Sequence, residues 1–334
     1  MNRLLQIFRV GRQIVTVAAI LLLAASLTAE AQSVSMHRIG MLETIPPALN
    51  AANLDAFRQG LRELGYIEGQ TLIIEYRSAD GREERFPSLA KELVRLKVDL
   101  IVTRGTPATQ AAKDAAGTIP VVAANAGDLV GSGLVASLAR PGGNVTGLTA
   151  VTTALEAKRL ELLRELVPRL SRIAGLYNMH DPRTRLGWKE IEAASRSFGI
   201  EPQLLDVREA YDIGPAFHAA VRQRADALIV AASSLTQANR QVIADLAMKH
   251  RLPAMYPYRE FVDAGGLVSY GANVPDMYRR ASYFVDKILK GAKPADLPVE
   301  QPTKFELVIN MRTAKGLGLT ISPSVMLRAD QVIE

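Results

Sequence analysis

From Met36 onward, short apolar runs alternate with longer amphipathic ones. In the first half, the runs at 37–42 (HRIGML), 71–77 (TLIIEYR), 99–103 (DLIVT), 120–125 (PVVAAN) and 145–150 (VTGLTA) have the length of strands and end at turn residues. Helical patterns fill the gaps. The clearest is 48–64, where Leu54, Phe57, Leu61 and Leu64 fall on one face and Gly65 follows as a left-handed stop. The second half has strand-like runs at 172–177 (RIAGLY), 202–207 (PQLLDV), 226–232 (DALIVAA), 253–256 (PAMY) and 267–270 (LVSY). Strands separated by helices predict an α/β fold of parallel sheets with helices on both faces.

The two halves share more than this alternation. ELGYIEGQTLIIEY (63–76) matches the plan of RSFGIEPQLLDV (196–207): helix end, glycine, apolar residue, strand. RLKVDLIVTRGTPAT (95–109) matches RQRADALIVAASSLT (222–236), and each leads through a helix to an X-Pro strand at Ile119-Pro120 or Leu252-Pro253. Two copies of one α/β plan, hence two Rossmann-like lobes, account for these correspondences.

The first 31 residues follow another rule. Arg3, Arg9 and Arg12 precede the uncharged run IVTVAAILLLAASLTA, and Ala29-Glu30-Ala31 precedes Gln32. Basic, apolar and small-x-small segments in that order predict an export signal cleaved after Ala31, with an uncleaved anchor as the alternative. The chain of 334 residues has no cysteine, so the exported protein carries neither disulfides nor a lipid-bearing Cys, which fits a soluble protein in a bacterial periplasm. The formal charge of +6 falls to +4 without residues 1–31, an excess too small and dispersed for nucleic-acid binding.

Motifs of catalysis are weak. Gly131-Ser132-Gly133-Leu134-Val135-Ala136 fits G-x-G-x-x-A but follows the fourth strand, and no ribose-holding acid comes about twenty residues later. Ser88-Leu89-Ala90-Lys91 fits S-x-x-K without the companion S-D-N or K-T-G, on an ordinary amphipathic helix. His37, His180, His218 and His250 lie far apart without metal-ligand spacing, so no catalytic residue, metal or cofactor is expected. What remains are polar residues where parallel strands end, the place where open α/β sheets bind ligands. In the first half these are Glu43, Thr44, Gly105, Thr106, and Asn125 to Asp128. In the second they are Tyr177, Asn178, Asp181, Ser233, Ser234, Tyr256, Tyr258, Glu260, Tyr270 and Gly271. Each alone also reads as a helix cap, a turn or a core residue.

The runs FRQGLRELGYIEGQTLIIEYRSADG (57–81), TRGTPAT (103–109), GLVASLARPGGNVTGLT (133–149), KRLELLRELVP (158–168), REFVDAGGLVSYG (259–271) and KGAKPADLPVEQPTKFELVINMRTAKGLGLTI (290–321) resemble the tryptophan/tyrosine-type substrate-binding proteins of ABC transporters. The resemblance implies a type I periplasmic-binding-protein fold whose two lobes are joined by three crossovers, near 149–153, 270–274 and 300–305. One lobe then comprises 36–150 plus 272–300 and the other 151–271 plus 301–334, so helix 275–289 must leave the second half and dock on the first. It also implies a monomer that closes on a small solute, first an amino acid and among those an aromatic one, and delivers it to an inner-membrane ABC permease. On this reading Thr106, the amides of Ala108 and Thr109, Ser233 and Ser234 receive a carboxylate. Glu43, Asp128 or Asp181 receives an ammonium, and Tyr177, Tyr256, Tyr258 and Tyr270 flank the side chain. Leu129 stands where the family commonly has proline, which leaves the role of Asp128 open. A ligand sensor docking on a membrane receptor fits the same features, and an exported α/β enzyme is a further alternative.

Overall fold

The computed structural model describes residues 36–150 and 155–334, so the predicted export signal and the 151–153 part of the first crossover lie outside the described residues. Among the described residues, β1 (His37–Glu43), β2 (Leu72–Ser78), β3 (Leu100–Arg104), β4 (Val121–Ala126) and β5 (Val145–Thr149) form a sheet in the order β2-β1-β3-β4-β5. All its pairings are parallel. A second sheet contains β6 (Arg172–Tyr177), β7 (Glu201–Asp206), β8 (Ala227–Val230), β9 (Ala254–Tyr256), β10 (Val268–Ala272), β11 (Phe305–Asn310) and β12 (Gln331–Ile333) in the order β12-β11-β10-β9-β8-β6-β7. The ten strands expected from the apolar runs are present with ends shifted by a residue or two.

The second sheet departs from the all-parallel expectation. β10 and β11 pair antiparallel, Val268 opposite Ile309 and Ala272 opposite Phe305, and β12 then pairs parallel to β11. The reason lies in the chain path. After β10 the chain passes to the first sheet and comes back through 300–305, so β11 enters from the end at which β10 left. Antiparallel pairing needs no crossover helix and suits such a return.

Helices α1 (Ala51–Glu63), α2 (Phe86–Arg95) and α3 (Thr106–Ala116) clad the first sheet. α4 (Glu156–Leu166), α5 (Pro182–Phe198), α6 (Ile213–Arg222), α7 (Ser234–Ala238), α8 (Arg240–Lys249) and α9 (Arg259–Asp263) belong to the second. α10 (Val274–Leu289) follows β10 in the chain yet packs beside α1. Its Met277, Tyr278, Ala281, Phe284 and Val285 share one buried cluster with Leu54, Phe57, Leu61 and the β1, β3 and β4 side chains. α11 (Met311–Gly316) and α12 (Pro323–Met326) close the second sheet's core through Ala314 and Val325.

The helix expected over 48–64 is divided. Pro47–Asn50 is a tight turn of 3-10 helix, and α1 stops at Glu63 with Gly65 at φ 93°, the left-handed stop expected of it. Leu64 therefore sits at the cap, 37% exposed, rather than on the apolar face.

The ends of β3, β4 and β5 are tied together. The Gly105 amide donates to the Asn125 carbonyl at 2.7 Å and the Ala150 amide to the Ala126 carbonyl at 2.6 Å. The returning segment joins them, with the Glu300 amide on the Gly147 carbonyl and the Thr149 amide on the Glu300 carbonyl, both at 2.9 Å. These bonds hold the carboxyl ends of the first sheet as one rigid lip.

Candidate functional site

A cavity of about 500 Å³ opens between the carboxyl ends of the two sheets. The first sheet contributes Thr44 after β1, Arg104 and Gly105 at the end of β3, Asn125 to Asp128 after β4, and Thr149 and Ala150 after β5. The second contributes Glu156 of α4, Thr184 and Gly187 of α5, Ala231 to Ser234 after β8, Gln237 of α7 and Tyr258 after β9. Gln301, on the segment that returns past β5, closes one side. Apolar lining comes from Pro107, Val130, Leu138 and Leu186. Among the described residues, no group of three or more His, Cys, Asp or Glu gathers to hold a metal.

Of the residues expected at the site, Thr44, Gly105, Asn125, Asp128, Ser233 and Ser234 line this cavity. Their shared position at strand ends brings them together. Asp128 also serves its own loop, its Oδ1 accepting from the amides of Val130 and Gly131 at 3.1 and 2.8 Å. Ser233 caps α7, its Oγ accepting from the Thr236 amide at 3.1 Å.

The structure places the others elsewhere. Glu43 is fully buried beneath the cavity and accepts from the Tyr278 hydroxyl at 2.7 and 2.9 Å. Thr106 is buried, and its Oγ1 accepts from the Gly127 amide at 3.0 Å, which fixes the loop after β4 rather than facing the cavity. The Thr109 amide is already donated to the Gly105 carbonyl at 3.1 Å, as in any first helical turn. Asn178 holds its own turn, its Oδ1 accepting from the His180 amide at 3.0 Å, and the Asp181 carbonyl starts α5 by accepting from the Arg185 amide at 3.1 Å. Neither residue lines the cavity.

The tyrosines divide in the same way. Tyr177 and Tyr256 are fully buried core residues, Tyr177 edge-on to Trp188 at 5.3 Å and Tyr256 stacked on Phe261 at 5.0 Å. The Tyr270 ring stacks on Phe305 across β10 and β11 at 6.5 Å. At Gly271 a Cβ would stand 2.0 Å from the Pro257 carbonyl oxygen, so glycine there permits close backbone approach, and it does not line the cavity. Tyr258, one of the flat partners expected, is the tyrosine that lines the cavity. Tyr177 and Tyr256 are the last residues of β6 and β9, so each packs into a helix-covered face of the sheet, whereas Tyr258 lies beyond the strand end, on the turn that opens to the cavity.

Two lining residues outside the expected set are buried and ionisable, one basic and one acidic. Arg104 ends β3 and is 4% exposed. Its Nη1 donates to Asn50 Oδ1 and its Nη2 to Glu260 Oε1, both at 2.9 Å. Burial opposes this charge, but Glu260 and its neighbours hold the guanidinium above its ordinary range. Burial likewise pushes the Glu260 carboxyl up, while the Arg104 charge draws it down further and leaves it below the usual carboxylate range. The other residue is Glu156, 3% exposed, accepting from Tyr177 Oη at 3.0 Å and from Arg159 Nη1 at 3.1 Å. Burial raises its carboxyl despite Arg159. Both lobes of the cavity thus hold a buried Glu–Tyr–Arg group: Glu43, Tyr278 and Arg104 on one side, Glu156, Tyr177 and Arg159 on the other.

The sequence does hold signals for these two. Arg104 is a full charge closing a strand, LIVTR, that is otherwise uncharged and mostly apolar. Glu156 and Arg159 sit three apart on the face of α4 that carries Leu160 and Leu163, so both charges are buried with it. Gln237 is also buried and lines the cavity, and neither atom of its carboxamide has a hydrogen-bond partner among the described residues.

Comparison with known proteins agrees with this architecture. The family described as ABC transporter substrate binding protein matches residues 39–333. A tyrosine-binding protein of Clostridioides difficile (strain R20291) is 26% identical over 288 residues, spanning 86% of this chain and 82% of that protein. The crystal structure of an ABC domain in complex with L-Trp from Streptococcus pneumoniae superposes with a TM-score of 0.81 at 28% identity, covering 90% of this chain and 100% of the other. A conserved domain protein from Vibrio cholerae gives 0.82 at 26% identity, covering 89% and 100%.

Proposed function

The chain belongs to the ABC transporter substrate-binding protein family, and from that premise we propose that it captures an amino acid between its two sheets and hands it to an inner-membrane permease. The family is one of substrate-binding proteins, and the Streptococcus pneumoniae neighbour is in complex with L-Trp. The finer reading is that the exported protein, cleaved after Ala31, works in the periplasm as a monomer. Its lobes are 36–150 plus 272–300 and 151–271 plus 301–334, and they close about the crossovers near 149–153, 270–274 and 300–305.

The observation that carries the ligand class is the placement of opposite charges on opposite walls. Arg104 comes from the first sheet and Glu156 from the second, and both line the cavity. An amino acid is a zwitterion, so its carboxylate suits the guanidinium and its ammonium suits the carboxylate. A ligand held in this way contacts both walls at once and so favours the closed arrangement by its differential contacts. Glu156 takes the ammonium in place of Glu43, which lies too deep, and Asp181, which lies outside the cavity. Ser233, Ser234 and Asn125 complete the polar wall. The aromatic class rests on the tyrosine and L-Trp named for the relatives, and Pro107, Leu138, Leu186 and Tyr258 offer the apolar surface such a side chain needs.

Isothermal calorimetry on the mature protein, with L-tyrosine, L-tryptophan and the other protein amino acids, tests this reading. One or more of them should bind, and Glu156→Gln and Arg104→Met should each weaken that ligand by at least about tenfold, the loss expected on removing a charged hydrogen-bond partner. No heat from any amino acid would remove the amino-acid reading. Binding unchanged in both variants would remove the assignment of the two charges. Transport, as against sensing, predicts stimulation of the ATPase of a reconstituted cognate transporter by the loaded protein.

A further inference from the structure

Four contacts join the two sheets along one rim of the cavity. Glu260 of α9 accepts from Arg104 Nη2 at 2.9 Å and from Asn53 Nδ2, on α1, at 3.3 Å. Arg240 at the start of α8 donates from Nη2 to the Leu49 carbonyl at 3.1 Å. Gly81, just past β2, meets α7 so closely that a Cβ there would stand 2.4 Å from Ala238 Cβ. In each case one partner belongs to the first sheet's layer and the other to the second's.

The charge pair at the centre of this rim is buried, the Arg104 and Glu260 side chains being 5% and 17% exposed. Arg104 is anchored within its own layer by Asn50, which Asn53 holds in turn at 2.8 Å. Its counter-charge, Glu260, arrives with the other layer. Swinging the layers apart therefore returns both charges to water, and bringing them together desolvates both.

We infer that Glu260 is a cross-cleft latch: from the opposite layer it supplies a hydrogen-bonded counter-charge to buried Arg104, and so sets how far the protein closes and how long it holds its solute. This deepens the ligand reading above, since Arg104 is the same residue assigned to the carboxylate. The latch is a positioning device, because Glu260 acts through Arg104 and does not itself line the cavity.

The physics favours a reversible latch over a permanent lock. The attraction within a buried ion pair is largely offset by the cost of removing both charges from water, so the pair contributes little net closure. Removing one partner is another matter, because it leaves a buried charge uncompensated. Loss of Glu260 thus acts against the closed form specifically, whereas the separate cores of the two sheets contain neither residue and remain intact.

The chain has no cysteine, which permits site-specific spin labels at Asp114→Cys on α3 and Arg222→Cys on α6, both exposed. Electron–electron distance measurements on the ligand-free protein should show a closed population that falls at least about tenfold in Glu260→Gln, as expected when one member of a buried pair is left unpaired. Glu260→Asp should restore part of it, while the melting temperature of Glu260→Gln stays near that of the parent. With L-tyrosine or L-tryptophan as probe, stopped flow should show the loss in the dissociation rate and leave association nearly unchanged. A closed population equal in the ligand-free parent and Glu260→Gln overturns the latch, and so does an equal dissociation rate for either probe. If neither probe binds, the amino-acid reading fails by itself, and the ligand-free distances still decide the latch.

Discussion

At the scale of single residues, Glu43 shows how burial changes the role of a strand-end carboxyl. It closes β1 where a ligand contact was expected, yet it lies beneath the cavity between Tyr278 and Arg104, and burial pushes its carboxyl up from 4.5 to about 7. Between those values the folded chain keeps a proton that the unfolded chain releases. Its contribution to stability is therefore full at low pH and declines as pH rises through that window, by up to about 1.4 kcal/mol per pH unit. Urea unfolding from pH 4.5 to 7.5 should show a shallower decline in Glu43→Gln, which is neutral throughout. Identical slopes in the two proteins would mean that Glu43 ionises normally. The strand-end rule made Glu43 legible as a polar residue, but its depth was not. Depth depends on Tyr278, which lies 235 positions away in sequence. Arg104 and Glu156 carried local signals, a charge ending a mostly apolar strand and a charge pair on an apolar helix face. Their meaning came only when the walls of the cavity brought them opposite each other.

At the scale of elements, periodicity read the structure well wherever neighbours in sequence are also neighbours in space. β7 alternates exposed and buried residues because it lies at a sheet edge, while β6 beside it is almost wholly buried. α10 shows the limit of such reading. Its apolar stripe of Val274, Met277, Ala281, Phe284 and Val285 fits either sheet, and nothing within the helix says which. Packing beside α1 decides it, in the cluster that holds Phe57 and Leu61. Phe284→Ala should accordingly destabilise the protein by about 3–5 kcal/mol, the usual cost of deleting a buried phenyl ring. Hydrogen exchange in this variant should quicken first in β1, β3 and β4 rather than in β6 to β9. Faster exchange in the second sheet alone would contradict the packing described here.

At the scale of the whole molecule, the last thirty residues complete the second sheet. Leu307, Ile309, Ala314, Ile321 and Val325 enter its core, and β11 covers β10 along its full length. A chain ending at Gln301 should lose cooperative unfolding of that sheet and become sensitive to limited proteolysis within β6 to β10, since the cut exposes an apolar edge. A protease-resistant, cooperatively melting product would show the tail to be dispensable. The same tail explains why the parallel-sheet expectation held for β1 to β10 and failed for β11. Strand patterns carry no direction, and β11 acquires its own only because the chain comes back from the first sheet.

The sequence by itself determined the alternating α/β plan, its duplication, the strand ends at which the cavity opens, and the family, because each of these depends on local periodicity or on long runs of similar residues. Tertiary structure alone decided which strand-end side chains face the cavity, where α10 docks, which way β11 runs, and that Arg104 of one sheet meets Glu260 of the other. Those outcomes are set by burial and by charges brought together across the fold, quantities that do not exist until the two sheets face each other.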